Sequence, residues 1–183
     1  MDFKRAKTTI LALDLKGCIY LNHFSHSKHI SQFFRVVSRL GDGSFWYVML
    51  GLAWWQRGWQ FKSAILYVLL ASLVGTAIYK LLKNKTVRPR PYQVHQVIRL
   101  GERPLDHFSF PSGHTLHAVM AMMVIAKIAP VLIFVMLPFS ILVALSRMIL
   151  GLHYPTDVVV GAIMGAVIAS LIILAAPYFD VLL

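Results

Sequence analysis

Cysteine and acidic residues are scarce in this sequence of 183 residues. Cys18 is its only cysteine, which rules out an intramolecular disulfide and a metal site built from paired cysteines. Asp and Glu number 7 against 18 Lys and Arg, and their placement offers no carboxylate cage of the kind that Mg²⁺ or Ca²⁺ prefers. Internal repeats and low-complexity tails are also lacking. Disulfide-stapled and carboxylate-caged metal proteins are therefore excluded.

Apolar residues make up 58% of the chain, and the mean hydropathy is +0.68. Soluble domains contain roughly 45–50% apolar residues. Here the excess is concentrated in long runs, which indicates an integral membrane protein. The formal net charge of +11 favours anionic partners, such as lipid headgroups or an anionic substrate. We expect no nucleic acid partner, because the basic residues do not form a patch on a soluble module.

The apolar runs predict an all-α integral membrane protein, a bundle of about five transmembrane helices with six as the alternative count. They cover approximately residues 42–57, 61–82, 112–129, 131–149 and 157–176. Residues 1–40 precede this transmembrane core of residues 41–183. Because charged residues interrupt the apolar side chains of residues 3–22, we expect an amphipathic helix in the membrane interface there. The histidine-rich stretch at residues 22–29 is expected to be a solvated loop.

The order of the spans places the polar clusters of the C-terminal half on one face of the membrane. Two spans precede the loop at residues 83–110, and a third span begins at the end of that loop. The fourth and fifth spans meet at a short loop at residues 150–156. Polar residues at membrane depth are costly and usually functional. We therefore expect the two loops to converge on a single site.

Basic residues in these clusters have the chemistry of a phosphate site. Lys83, Arg90 and Arg147 supply three cations, and the planar guanidinium of arginine matches two phosphate oxygens at once. Any one of them alone could instead be a basic residue at the end of a span whose side chain extends toward the lipid headgroups. Their occurrence on one membrane face favours a bound anion.

The stretch "PSGH", residues 111–114, opens the third span. Free backbone N–H groups at the start of a helix bind anions, and Gly113 would let the backbone approach one closely. Ser112 alone would also be explained as a helix N-cap. His114 follows within the first turn, where it is placed to donate a proton. The stretch therefore predicts an anion site with an acid beside it.

His153 and Asp157 are four residues apart at the start of the fifth span. If the carboxylate bonds one ring nitrogen, the other nitrogen is left as a base or a nucleophile. Taken singly, Asp157 would suit the positive start of a helix, and His153 would suit a loop. Three cations, two histidines and a carboxylate on one face favour a catalytic phosphate site instead.

Three stretches, "KNKTVRPRP", "PSGH" and "SRMILGLHYPTD", together resemble the three-part signature of the type 2 phosphatidic acid phosphatase (PAP2) superfamily, K-x6-RP, PSGH and SR-x5-H-x3-D. Every position matches, and the resemblance covers roughly residues 60–178. It implies a membrane lipid phosphatase that needs no metal ion or other cofactor. His153 would form a phosphohistidine, Asp157 would orient it, and His114 would protonate the leaving oxygen. The phosphoryl oxygens would be held by Lys83, Arg90, Ser112, Gly113 and Arg147.

The resemblance further implies a lipid phosphate or diphosphate as substrate, the bilayer as surroundings, and an oligomeric state that stays open. Candidate lipids are undecaprenyl diphosphate, phosphatidylglycerophosphate, phosphatidic acid and a lipid A phosphate. Members of the family usually face their site away from the cytoplasm, so we expect the cytoplasmic (inner) membrane with a periplasmic site. The basic N-terminal 40 residues do not obviously agree with that orientation.

Two alternatives to a phosphatase remain open at this point. A lipid phosphotransferase would use the same His153 nucleophile and pass the phosphoryl group to an acceptor lipid. A non-catalytic membrane protein that only binds or carries anionic lipid would need the cations, but not a paired acid and base. We expect a solvated loop, with headgroup contact as the alternative, at Arg99, Glu102, Arg103 and Asp106. His95 and His107 are expected to be solvated in the same way. His117 is expected to be packed or to lie behind the residues that contact the substrate.

Overall fold

The computed structural model describes residues 3–83, 85–104 and 106–183, and these residues contain eight α-helices and no strand. The helices are α1 (Phe3–His23), α2 (Lys28–Leu40), α3 (Ser44–Arg57), α4 (Lys62–Lys83), the one-turn α5 (Pro91–Val94), α6 (Gly113–Ile128), α7 (Ile133–Ile149) and α8 (Pro155–Ala175). The five predicted apolar runs coincide with α3, α4, α6, α7 and α8. The all-α prediction is thus confirmed.

Among the residues that the structure describes, three stretches are long and apolar enough to cross a membrane, namely Lys62–Leu81, Pro130–Ile149 and Pro155–Phe179. They make the chain an integral membrane protein. A bilayer core of ordinary thickness needs about 20 helical residues. The apolar α6 has 16 residues and α3 has 14, so the count of five spans stays a prediction.

The N-terminal segment forms two helices, α1 and α2, joined by a 3-10 turn at Phe24–His26. Helix α1 agrees with the predicted helix, whereas its placement in the membrane interface stays a prediction. The expectation of a solvated loop at residues 22–29 was wrong at Asn22, which is buried. Its side-chain amide donates to the carbonyl oxygens of Arg99 and Ile149, each at 2.9 Å. This residue ties α1 to the loops beside the polar clusters.

Helices α6 and α8 pack closely because two glycines of α8 leave room for the backbone of α6. A Cβ atom on Gly161 would lie 2.5 Å from the carbonyl oxygen of Ser112, and Gly165 faces the backbone of Leu116 in the same way. Small residues permit such close approach between helices in membranes. The backbone N–H of Ser112 donates to the carbonyl oxygen of Asp157 at 3.0 Å. The packing therefore holds the "PSGH" stretch against the first turn of α8.

The opposite face of α8 presents a stripe of large apolar side chains. Val159, Ile163, Val167 and Leu171 follow one another at a spacing of four residues, and each is more than half exposed. This spacing keeps side chains on one face of an α-helix. A stripe of this kind contacts acyl chains favourably in a bilayer, whereas soluble proteins rarely expose one. Helix α8 thus has one face for α6 and one for lipid.

Candidate active site

A cavity of about 820 Å³ lies among α3, α4, α6 and the loop that follows α7. Six of the eight predicted site residues line it, namely Lys83, Arg90, Gly113, His114, Arg147 and His153. The other two, Ser112 and Asp157, are fully buried. The structure thus brings the three polar clusters together, while the roles assigned to these residues stay predictions.

His153 is held in the loop between α7 and α8, where its backbone N–H donates to the carbonyl oxygen of Arg147 at 3.1 Å. Gly151 permits this turn with a φ of +73°, a conformation that favours glycine. The imidazole is buried, and its Nε2 lies 3.3 Å from a guanidinium nitrogen of Arg90. Burial and then the charges of Arg147, Arg90 and Lys83 hold the pKa of His153 well below its ordinary value. The ring is therefore neutral at physiological pH, as a nucleophile has to be.

Asp157 lies beside His153 without a hydrogen bond between them. Nδ1 of His153 is 3.6 Å from Oδ2 of Asp157 and has no hydrogen-bond partner within the described part of the chain. This distance exceeds that of a hydrogen bond. The anticipated bond between carboxylate and ring is thus absent from this structure. Oδ2 instead accepts from the backbone N–H of Tyr154 at 2.9 Å.

The direct partner of Asp157 is Arg88, whose guanidinium donates to Oδ1 at 2.6 Å. The same guanidinium donates to Oδ2 of Asp14 in α1 at 2.7 Å and lies over the ring of Tyr154, 4.0 Å from its centroid. Asp14 also accepts from the backbone N–H of Thr156 at 2.9 Å. Helix α1 is therefore linked through two charged residues to the predicted catalytic carboxylate.

Lys83 and Arg90 converge on a carboxylate that the chain itself supplies. Oδ2 of Asp106 lies 2.6 Å from Nζ of Lys83, and Oδ1 lies 2.5 Å from Nη2 of Arg90. The expectation that Asp106 is simply solvated was therefore wrong, although its side chain is 43% exposed. Burial opposes ionisation of Asp106, but the hydrogen bonds and charges of Lys83 and Arg90 outweigh it and lower its pKa.

Arg147 is buried, with 2% of its surface exposed. Its Nη1 donates to the hydroxyl oxygen of Ser38 in α2. Its Nε has no hydrogen-bond partner among residues 3–83, 85–104 and 106–183. A buried guanidinium with a free donor beside a cavity is suited to a polar ligand that enters that cavity.

Ser112 and Gly113 both make packing contacts beside the cavity. The hydroxyl of Ser112 lies 2.9 Å from that of Thr115 and is fully buried, so it does not line the cavity. A Cβ atom on Gly113 would lie 2.5 Å from the hydroxyl oxygen of Tyr79. Gly113 is also the first residue of α6, where backbone N–H groups are free to bind an anion. The glycine is thus needed for contact between α4 and α6.

Nε2 of His114 contacts a carboxylate oxygen of Asp42 at hydrogen-bond distance. Asp42 lies in the short turn between α2 and α3, in the N-terminal part of the chain. Its side chain is 38% exposed, and that of His114 is 12% exposed. Both residues line the cavity. The predicted proton donor therefore has a carboxylate partner that the sequence motifs did not include.

The cavity extends from the charged residues into an apolar arm among α3, α4 and α6. Its apolar lining includes Trp46, Leu50, Val68, Leu73, Met120 and Ile125. His117, one turn beyond His114, also lines the cavity, so it is not merely a packed histidine. One cavity thus joins a cationic end to an apolar end.

Other loop residues agree with a solvated or structural role. Arg99, Arg103 and His107 are exposed, as expected. Glu102 is not free, because its carboxylate pairs with Arg39 of α2 at 3.1 Å. In the part of the chain that the structure describes, no three His, Cys, Asp or Glu side chains come together as ligands for a metal ion.

Sequence reasoning missed three charged residues at this site, Asp14, Asp42 and Arg88. Arg88 stands two residues before Arg90 in "RPRP", and Asp14 interrupts an otherwise apolar stretch. Asp42 stands between two glycines, which is the pattern of a tight turn. These signals were present, but each has a common explanation in a loop or at a surface. Only spatial proximity distinguishes them.

Comparisons with known proteins agree with this geometry. The family model described as the PAP2 superfamily matches residues 63–180. The decaprenylphosphoryl-5-phosphoribose phosphatase of Mycobacterium tuberculosis is 32% identical over 103 residues, which cover 55% of this chain and 55% of that protein. Undecaprenyl-diphosphatase BcrC of Bacillus subtilis is 29% identical over 139 residues, which cover 73% of this chain and 72% of that protein. The chain matches only about half the length of the first of these relatives.

A solved structure shares the arrangement of the helices. The crystal structure of Aquifex aeolicus LpxE superposes with a TM-score of 0.73 at 25% sequence identity. The superposition covers 88% of this chain and 94% of that chain. The family model covers well over half of the chain, and the motif residues meet in one cavity. The chain therefore belongs to the PAP2 superfamily.

Proposed function

We propose that this chain is a membrane lipid phosphatase that hydrolyses a phosphomonoester or diphosphate of a lipid through a phosphohistidine at His153. The observation that carries the proposal is the single cavity with a cationic end and an apolar end. A lipid phosphate needs cations for its phosphoryl oxygens and apolar walls for its tail. The relatives named as phosphatases of decaprenylphosphoryl-5-phosphoribose and of undecaprenyl diphosphate support an isoprenoid lipid as substrate.

In the first step, the lone pair on Nε2 of His153 attacks phosphorus. The bond between phosphorus and the leaving oxygen breaks, and that oxygen takes both bonding electrons and a proton from His114. Arg90 and the other cations stabilise the negative charge on the remaining phosphoryl oxygens, which is often the largest catalytic contribution. Asp157, 3.6 Å from Nδ1, stabilises the positive charge that develops on the ring.

In the second step, a water molecule hydrolyses the phosphohistidine. His114, now unprotonated, takes a proton from the water as its oxygen attacks phosphorus. The bond between nitrogen and phosphorus breaks, its electrons return to His153, and inorganic phosphate leaves. Both histidines are then in their starting states. The cycle consumes one water molecule and releases one alcohol or lipid phosphate.

The same proposal includes an arrangement in the membrane. We infer five spans, in which the shorter α3 and α6 cross together with α4, α7 and α8. The charged end of the cavity then lies at one membrane edge, and its apolar arm extends toward the acyl chains. We further infer that the chain resides in the cytoplasmic (inner) membrane with the charged end on the periplasmic side, as the family resemblance implies. Labelling of an introduced cysteine at position 107 in intact cells tests the orientation.

Phosphate release by the purified full chain in detergent tests the activity. A panel of undecaprenyl diphosphate, phosphatidylglycerophosphate, phosphatidic acid and a lipid A phosphate, assayed with EDTA, is expected to include at least one substrate. His153→Ala is expected to abolish release, because it removes the proposed nucleophile. His107→Ala, which changes an exposed histidine of the neighbouring loop, is the matched control.

Three results would contradict the proposal. Undiminished turnover by the His153→Ala variant would exclude a phosphohistidine at His153 as the intermediate. Complete loss of activity with EDTA would show that the reaction requires a metal ion. Appearance of the phosphoryl group on an added acceptor lipid, without free phosphate, would identify a phosphotransferase instead.

A further inference from the structure

The turn between α2 and α3 is built to bring one carboxylate into the cavity. Its sequence is Gly41-Asp42-Gly43. A Cβ atom on Gly41 would lie 2.9 Å from a methyl group of Val143, so a larger residue would push the turn away from α7. Gly43 has a φ of +151°, a conformation that favours glycine. Both glycines therefore serve the placement of Asp42.

The turn is also anchored from the side of α3. The indole N–H of Trp46 donates to the carbonyl oxygen of Gly41 at 3.2 Å, and Trp46 is buried. The backbone N–H of Asp42 donates to the carbonyl oxygen of Arg39 at 3.2 Å. With its backbone held at both ends, Asp42 directs its carboxylate to Nε2 of His114.

The surroundings of His114 make such a partner necessary for acid catalysis. The cavity that it lines also contains Lys80, Lys83, Arg90 and Arg147. Nearby cations and burial both disfavour an imidazolium. A general acid has to carry its proton before the reaction begins. A carboxylate in contact with the ring opposes the effect of the cations and favours the protonated form of the histidine.

Asp42 is in the charge state that this role requires. Burial opposes its ionisation, but the hydrogen bond with His114 and the charges of His114, Arg147 and Arg39 outweigh burial and lower the pKa of Asp42. Asp42 is therefore a carboxylate at neutral pH. Asp106, the other acidic residue that lines the cavity, contacts Lys83 and Arg90 and does not take its place.

We propose that Asp42 is a positioning residue for the acid–base histidine, holding His114 in orientation and in its protonated form. The site then has two carboxylate–imidazole pairs, in which Asp157 serves the nucleophile His153 and Asp42 serves the proton donor His114. This inference rests on the proposed function, because it presupposes a leaving oxygen that needs a proton. Asp42 lies outside residues 63–180, which the family model matches, and outside the three motifs.

The dependence on the leaving group tests this role. Asp42→Asn is expected to lower kcat/KM for phosphatidic acid, whose alkoxide leaves poorly without a proton, by roughly tenfold or more. The same variant is expected to change kcat/KM for p-nitrophenyl phosphate much less, because its phenolate leaves without protonation. Equal losses on both substrates would overturn the proposal, since a structural defect affects them alike.

The pH profile supplies a second readout. In Asp42→Asn, the alkaline limb of kcat/KM for phosphatidic acid is expected to move to lower pH, because His114 loses its proton more easily. An unchanged limb would overturn the proposal. The other charged and titratable groups that face this pair stay as they are, namely Arg39, Lys80, Lys83, Arg90, Asp106, His117, Arg147 and His153.

Two further variants keep the result interpretable. Asp42→Glu retains the carboxylate and is expected to keep the alkaline limb near its original pH. Should Asp42→Asn fail to fold, a clear move of the alkaline limb to lower pH in Asp42→Glu would overturn the proposal. Asp180→Asn, an exposed carboxylate near the C-terminus, is the control for loss of charge. If the unaltered chain hydrolyses no phosphate ester at all, the proposed function fails instead.

Discussion

The carboxylate of Asp106 lies 2.6 Å from the ammonium nitrogen of Lys83, inside the cavity where a phosphoryl group is expected to bind. The second carboxylate oxygen of Asp106 lies 2.5 Å from a guanidinium nitrogen of Arg90. A carboxylate and a phosphate cannot both contact the same donors at these distances. Asp106 therefore competes with substrate for two of the three predicted phosphate-binding cations.

We predict that Asp106→Asn binds inorganic phosphate more tightly than the unaltered chain. The amide still fills the space, but it no longer neutralises the two cations. A partly exposed ion pair contributes up to about 1 kcal/mol, which corresponds to roughly a fivefold gain in affinity. Competitive inhibition of lipid hydrolysis by phosphate measures this gain. Asp180→Asn is the control, and weaker inhibition of Asp106→Asn would show that Asp106 supports anion binding instead.

The pH dependence of this competition follows from the lowered pKa of Asp106. A carboxyl group whose pKa is lowered in the folded protein stays ionised above about pH 5, and its ion pairs are lost only as the pH falls through that lower pKa. The ratio of phosphate affinities between Asp106→Asn and the unaltered chain is therefore expected to be constant between about pH 5.5 and 8. A ratio that approaches one already at pH 6 would contradict the ionisation of Asp106.

Arg88 is predicted to be needed for both stability and activity. Arg88→Ala would leave Asp157, which is fully buried, without its cation at 2.6 Å. Removing one partner of a buried ion pair costs about 3 kcal/mol. A lower melting temperature in detergent and a loss of phosphate release are expected together. Arg103→Ala, which removes an exposed arginine, is the control, and equal melting temperatures for the two variants would refute the prediction.

Close packing between α6 and α8 predicts that Gly161 tolerates no side chain. Its Cβ atom would lie 2.5 Å from the carbonyl oxygen of Ser112, beside the "PSGH" stretch. Gly161→Ala is expected to destabilise the fold by roughly 1–3 kcal/mol and to reduce activity. Gly51→Ala is the matched control, because a Cβ atom there has no neighbour within 4 Å. Thermal unfolding followed in detergent compares the two, and a drop as large in Gly51→Ala would point to general sensitivity.

Residues named by the motifs were predictable because each local pattern has a direct chemical meaning. Lys83 and Arg147 stand at the ends of apolar runs and Arg90 in the loop between two runs. The order of those runs predicts that all three lie on one membrane face. The lack of a hydrogen bond between His153 and Asp157 was not predictable from their spacing. Two side chains four residues apart can form a hydrogen bond. Here, however, Arg88 and the backbone N–H of Tyr154 donate to the carboxylate oxygens of Asp157 instead.

The N-terminal residues were the least predictable part of the site. Asp14, Asn22 and Asp42 stand in stretches whose composition indicates only an amphipathic helix and turns. Their partners lie far along the chain, at His114 for Asp42 and at Arg88 for Asp14. Contacts over such separations leave no periodic trace in a sequence, so the structure alone reveals them.

By itself, the sequence determined that this protein is helical, resides in a membrane and carries a cationic site with two histidines. Those properties depend on hydrophobic runs and on the order of charged residues, both of which are features of the local sequence. Tertiary structure decided which carboxylate serves which group, since Asp42, Asp106 and Asp157 each have a different partner. A charge pairs with the nearest opposite charge in space, and that distance is set by how the helices pack.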